Sequence, residues 1–262
     1  MFDFLNDITF YDLLPFILVG FAAQLIDGAL GMAFGVITQT MLVSVLGLPP
    51  AVASASVHGV EMFTTAASGT SHIAHKNIDW ALFRRLAPFG IIGGVAGATV
   101  LSNIDASLAR PFVMIYLTGV GLYLLVKAVR KLQPTVRDPK YTSPLAAVGG
   151  FLDAAGGGGW GPVVTSNLLV QGSDTRRTIG TVNTTEFLVT TAITIAFVIS
   201  LGTEIFSEYL NVAIGLIIGG VIAAPIGARI TAKVPVRPLL TIVAVVLIAT
   251  SAFSVYRAWP IF

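Results

Sequence analysis

Four acidic residues fall inside otherwise apolar sequence, where a carboxylate must carry a proton or find a partner: Asp27, Glu61, Asp153 and Glu186. An acid in hydrocarbon is costly, by a few kcal/mol on insertion scales, and is by default a functional candidate. The four form two pairs with matching surroundings. Leu25-Ile26-Asp27-Gly28-Ala29 aligns with Phe151-Leu152-Asp153-Ala154-Ala155, and Ser56-Val57-His58-x-x-Glu61 aligns with Thr181-Val182-Asn183-x-x-Glu186. His58 precedes Glu61 by three residues, so both share a helix face and can share a proton or a hydrogen bond. Asn183 takes the histidine's place in the second copy and cannot titrate, so any proton chemistry centred on the first copy responds more to pH. Asp27, His58, Glu61, Asp153 and Glu186 are therefore the candidate proton-coupling residues. A bracing role stays open beside this one: the two aspartates can cap the chain breaks next to them, and the two glutamates can bond to the N–H groups exposed there.

Those breaks are glycine-rich. Asp27-Gly28-Ala29-Leu30-Gly31 interrupts one apolar stretch and Asp153-Ala154-Ala155-Gly156-Gly157-Gly158-Gly159-Trp160-Gly161 interrupts another. A half-helix that starts inside a membrane presents unpaired N–H groups and a positive dipole end, which attract an anion. The second break is the stronger candidate, because consecutive glycines permit positive φ and close backbone approach, and Pro162 suits a first helical turn. The first is looser, with Met32 and Phe34 in place of glycine and tryptophan. Candidate substrate contacts are Gly31, Thr38 and Gln39 at the first break. At the second they are Gly156, Gly157, Gly158, Gly159, Trp160, Thr165, Ser166 and Asn167, with Asn183 from the segment that follows. The competing reading is that the glycines only let helices pack and the hydroxyls bond to their own helix.

The elements that must hold these residues follow from composition and charge. The chain has 262 residues, 55% hydrophobic and 11% charged, with a net charge of +2. Its mean hydropathy is +0.87. Soluble domains carry roughly 25% charged residues, so an integral membrane protein is expected. The small net charge argues against a nucleic-acid surface. There is no cysteine, so thiolate metal sites, disulfides and Cys nucleophiles are excluded. The three histidines show no zinc-ligand spacing, and no metal or cofactor is expected. No Walker-type motif points to a nucleotide. Ser68 as an intramembrane protease nucleophile lacks a histidine on another helix, since His58 and His72 share its own, and no enzyme activity is expected. The acidic N-terminus lacks the basic start of a secretory signal.

Apolar stretches fall at 13–47, 51–74, 86–102, 108–127, 142–171, 183–201, 209–229 and 236–256, against about 20 residues for one span. They lack the alternation of barrel strands. Lys and Arg collect on the cytoplasmic side. Here they cluster at 75–85, 127–140, 172–177 and 229–237, whereas the N-terminus, 103–110, 202–208 and the tail are acidic or nearly neutral. With the basic segments inside, 13–47 and 142–171 each return to the side they came from. The expected fold is thus an all-α polytopic membrane protein with an inverted repeat. Residues 1–134 and 135–262 are its halves, each a re-entrant hairpin plus three spanning helices, and both termini are periplasmic. Ile92-Gly93-Gly94-Val95 against Ile218-Gly219-Gly220-Val221, and Arg110-Pro111 against Arg237-Pro238, keep the repeat offset between 125 and 127. Such repeats are common among secondary transporters, with broken helices pointing at a midplane site. All Lys and Arg are assigned to loops, so a bound anion is expected to meet N–H groups and hydroxyls rather than a side-chain cation. His72 and His75 are read as interfacial, Trp80, Trp259, Tyr11 and Tyr256 as belt residues, and Trp160 as lining the site.

The segment Asp153 to Pro162, followed by Gly180-Thr181-Val182-Asn183-Thr184-Thr185-Glu186, resembles the TauE/SafE (sulfite exporter) family of membrane transporters, and the resemblance extends through the weaker first copy. It implies export of sulfite, a sulfonate or a related sulfur-containing anion across a bacterial inner membrane, coupled to the proton gradient. The partners are then the small anion and membrane lipid, with no nucleic acid or nucleotide. A passive anion channel is the alternative, and the oligomeric state is left open.

Overall fold

The computed structural model describes residues 10–129, 138–204 and 209–230, and in the last segment 238, 241, 242, 244–249, 252 and 256. Nearly half of the expected span 236–256 lies outside the described residues, as do Arg130, Lys131, Arg137, Glu208, Lys233, Arg237, Arg257 and Trp259. Among the described residues every regular element is helical.

Helix α1 (Phe10–Leu30) ends at the first break. Helix α2 (Phe34–Thr40) follows and continues as a π-helical turn, Met41–Val45. Then come α3 (Pro50–Ala74), α4 (Trp80–Ser102) and α5 (Ala106–Val129). Helix α6 (Thr142–Gly156) ends at the second break, a π-helical turn spans Trp160–Thr165, and α7 (Ser166–Val170) completes that stretch. Helices α8 (Thr175–Leu201) and α9 (Leu210–Ile230) close the well-described part.

Five helices, α1, α4, α5, α8 and α9, are long and apolar enough to cross a membrane. Helix α3 is as long but too polar to join them. It carries Ser54, His58, Glu61, Thr64, Thr65 and Ser68, all buried, so its polarity is hidden by the helices around it.

Two helices begin earlier than their apolar runs. Asp79 caps α4 by accepting the N–H groups of Ala81 (2.9 Å) and Leu82 (3.0 Å). Asp174 caps α8 by accepting that of Arg177 (2.8 Å). Carboxylate caps extend a helix outward from its apolar core, so Arg84, Arg85, Arg176 and Arg177 lie on helices rather than in the loops where sequence placed them.

Two close helix pairs frame the molecule: α1 runs along α9 and α6 along α4. Small residues permit both contacts. A Cβ added at Gly219 would lie 2.0 Å from the Ile17 carbonyl oxygen, and one at Gly93 would lie 1.9 Å from that of Ala147. Helices α3 and α8 face each other in the centre, where Gly69 lies against Thr184.

Candidate transport site

The two breaks meet in the middle of this frame. A Cβ added at Gly35 would lie 3.1 Å from the Gly158 Cα; one at Gly158 would lie 2.4 Å from the Val36 nitrogen. Gly161 stands against Met32, and Gly31 against Thr165. Thr165 donates its hydroxyl to the Gly31 carbonyl at 2.7 Å. The broken segments therefore pass each other antiparallel in van der Waals contact. The second turn needs its glycines: φ is +71° at Gly157 and +145° at Gly158, a region disfavoured for residues with a Cβ. The first turn uses Gly31 (φ +68°) but also holds Ala33 at φ +136°.

Each aspartate lies just before its break and turns back onto the next half-helix. Asp153 Oδ1 accepts the N–H groups of Gly159 (2.7 Å) and Trp160 (2.9 Å), and Asp27 Oδ1 accepts that of Phe34 at 3.5 Å. The chain's own carboxylates thus sit where the half-helix N–H groups would hold an anion. Asp153 Oδ2 lies 3.2 Å from His58 Nε2, whose other partner, Glu61, is farther at 4.0 Å. His58 Nδ1 donates to the Ser54 carbonyl at 2.7 Å. With Nδ1 carrying a hydrogen, the His58–Asp153 contact needs one more proton, shared between a ring nitrogen and a carboxylate oxygen. This pairing between α3 and α6 was not foreseen: the (i, i+3) spacing pointed to Glu61 alone.

The four acids lie within electrostatic reach of one another. Glu61 Oε2 and Glu186 Oε2 are buried without a hydrogen-bond partner, as are Thr64 Oγ1 and Gln39 Oε1. Unpaired polar atoms in a core are expensive, so these mark where a proton or ligand has most to offer.

The remaining candidates divide. Thr38 back-bonds to the Phe34 carbonyl at 2.7 Å and Asn167 to that of Val163 at 2.7 Å, the local bonding of hydroxyls and amides to their own helix. Gln39 is packed on Gly157. Asn183 accepts from the Ser68 hydroxyl at 2.9 Å, which ties α8 to α3. Gly156 and Gly159 lie against Tyr116 of α5, whose hydroxyl donates to the Gly158 carbonyl (3.4 Å). Trp160 is fully buried against Gly90 and Gly149, with Nε1 donating to the Val182 carbonyl at 3.3 Å.

Burial bears on three further expectations. Trp80, Tyr11 and Tyr256, expected in an interface belt, are exposed. His72 is not interfacial but buried, with Nδ1 3.1 Å from Asn77 Nδ2. Lys127 is not in a loop either. It sits in the last turn of α5, only 6% exposed, and donates to the Ser166 carbonyl at 2.9 Å. Its place in the final turn of an apolar helix made it look like the start of the basic segment. Tyr116 carried no signal at all, being one aromatic among many on an apolar helix.

Five apolar helices of spanning length define a multi-pass membrane protein, whose paired broken helices carry buried acids at the breaks. The family model for the sulfite exporter TauE/SafE matches residues 16–254, and the chain belongs to that family. The probable membrane transporter protein YtnM of Bacillus subtilis (strain 168) is 44% identical over 199 residues, covering 73% of this chain and 66% of that protein. The chain thus spans just under two thirds of that relative's length. No solved structure matches it.

Proposed function

We propose that the chain is a secondary transporter that exports a small sulfur-containing oxyanion, sulfite or an organosulfonate, across the bacterial inner membrane together with protons. The observation that carries this reading is the Asp153 carboxylate on the Gly159 and Trp160 N–H groups. It is a tethered anion on an anion site. A substrate oxygen can take those N–H groups only when Asp153 gives them up. Protonation does this, because a neutral carboxyl is a much weaker acceptor than a carboxylate: the proton shared with His58 passes fully to Asp153, and His58 takes up another from solution. The loaded site then holds one anion and one proton more than the empty site, so the two travel in the same direction. Export follows the anion's own outward gradient, and Glu61 and Glu186 are the further proton carriers.

Two features support an inverted repeat as the moving framework. The first arm of each broken segment rests on a helix of the opposite half, α1 on α9 and α6 on α4. The glycines that permit this, Gly219 and Gly93, are repeat equivalents. Parting the tips at Gly35 and Gly158 opens the site. The distribution of Lys and Arg supports an orientation with the basic segments cytoplasmic and both termini periplasmic.

Purified protein in liposomes tests the reading. Sulfite should accumulate on the alkaline side of an imposed pH gradient. Flux that never runs uphill would identify a channel, and absence of any sulfite or sulfonate flux would refute the proposal.

A further inference from the structure

Hydrogen bonds tie the turn between α3 and α4 to the first turns of α8. Arg176 donates Nε–H to Asn77 Oδ1 at 2.5 Å and Nη2–H to the His75 carbonyl at 3.1 Å. Thr181 accepts the Asp79 N–H at 2.8 Å, and a Cβ added at Gly180 would lie 2.3 Å from the Asn77 carbonyl oxygen. On the other side of the Asn77 amide lies His72, and both residues are buried. The same turns of α8 reach the first break, where Ile179 stands against Gly31.

Donor and acceptor types fix how this chain of groups is wired. A guanidinium only donates, so Asn77 turns its oxygen to Arg176 and its Nδ2–H to His72 Nδ1, 3.1 Å away. Nδ1 therefore accepts, and neutral His72 carries its hydrogen on Nε2. The ring also faces the Gly28 carbonyl, at the first break. A second proton on the ring makes Nδ1 a donor as well, and it then meets the Nδ2–H donor against donor. Turning the Asn77 amide over only moves the conflict to Arg176. One bond of the chain must break, with two cations left on either side of one amide.

We propose that His72 is a second proton-binding site, apart from the Asp153 pair, and that its proton releases α8 from the α3–α4 turn. The proton comes from water at Arg176, which is exposed, and adds to Nδ1 as the latch parts. It leaves by the same way when the latch closes. Opening draws Ile179 from Gly31 and loosens the first break. The charged and titratable groups on the surrounding elements are Asp27 of α1, His75 and Lys76 after α3, Asp79 before α4, Arg176 and Arg177 of α8 and Arg229 of α9. Of these, His75 and Arg176 oppose a charge on the ring. The place of the latch in a transport cycle rests on the proton-coupled reading above; the latch itself does not.

The chain has three histidines and no cysteine, which suits two measurements on the full chain in phosphatidylcholine nanodiscs. Nitrogen NMR of labelled histidine reads the protonation of each ring nitrogen, and spin labels on Ala74→Cys and Arg177→Cys read the distance across the latch. At pH 8 His72 should carry its hydrogen on Nε2 alone. At pH 4 it should be doubly protonated, with the label distance longer by about 2 Å, the size of helix shifts that switch interfaces. His72→Asn, which puts a neutral amide oxygen near the place of Nδ1, should not lengthen. Asn77→Asp accepts from both Arg176 and the doubly protonated ring, so it should stay shut at pH 4 while His72 takes its proton at higher pH than in wild type. His75→Gln and Asp153→Asn should open as wild type does. A hydrogen on Nδ1 at pH 8, no lengthening in wild type, lengthening that persists in His72→Asn, or opening of Asn77→Asp overturns the proposal. Neither measurement needs substrate, so absence of sulfite flux would refute the transport reading and leave the latch standing.

Discussion

His58 and Asp153 meet at 3.2 Å, joining the central helix α3 to the break that follows α6. The same aspartate holds the next half-helix through its other oxygen. A proton arriving on this pair therefore changes both a contact between helices and the availability of an anion site. Glu61 lies 4.0 Å from the ring, and Tyr116, Asp27 and Glu186 lie within electrostatic reach of Asp153.

On the proposed mechanism a proton releases the Gly159 and Trp160 N–H groups to the substrate, so anion affinity in the wild type should fall as pH rises. Asp153→Asn removes the carboxylate that occupies the Gly159 and Trp160 N–H groups, so its affinity should depend less on pH than that of the wild type, and it should not accumulate sulfite against a gradient. His58→Gln should slow exchange about tenfold near neutral pH and less in acid. Flux in liposomes between pH 5 and 8 measures all three, and an Asp153→Asn profile identical to wild type would contradict the mechanism.

The two unpaired glutamates are separable. Glu61 has His58 within 4.0 Å and Glu186 has Asn183 at the equivalent position, so Glu61→Gln should disturb the pH profile more than Glu186→Gln. Unchanged profiles in both variants would remove them as proton carriers.

Gly158→Ala should abolish transport. Its Cβ would enter the Val36 backbone at 2.4 Å, and its φ of +145° disfavours any side chain. Gly47→Ala is the contrasting case, with φ +76° and open space around it. It should cost about 1 kcal/mol in stability through backbone strain alone and leave flux in place. Thermal unfolding of both variants alongside flux distinguishes a blocked tip from a lost fold.

Gly93→Ala and Gly219→Ala should behave alike, each pushing a methyl into a neighbouring helix's carbonyl. Overpacking of this kind costs typically 1–3 kcal/mol. Similar losses of thermal stability in the two variants would support the equivalence of the halves, and a loss in only one would argue against it.

Much of this arrangement was legible in the sequence, because the features involved are local. Asp27 and Asp153 beside glycines mark the breaks by composition, and α3 and α6 begin within a residue of where the apolar runs put them. What sequence hides is proximity between distant segments. Spacing pairs His58 with Glu61 because both are on one helix, but Asp153 comes closer through folding. Lys127 reads as the start of a basic loop because charge alone cannot say whether the last turn of a helix is covered. The covering element is α7 with its preceding turn, a short segment whose packing is set by the break, not by its own pattern.

The contact between α1 and α9 bears on how the protein is made. Ile17 leaves the ribosome early, and Gly219, which receives it, is made near the other end of the chain. Until then the first broken segment lacks the helix it packs against in the folded chain. The second segment is better served, since α4 is already in place when α6 appears. Assembly order thus differs between the two broken segments: the first waits for α9, and the second finds α4 already made.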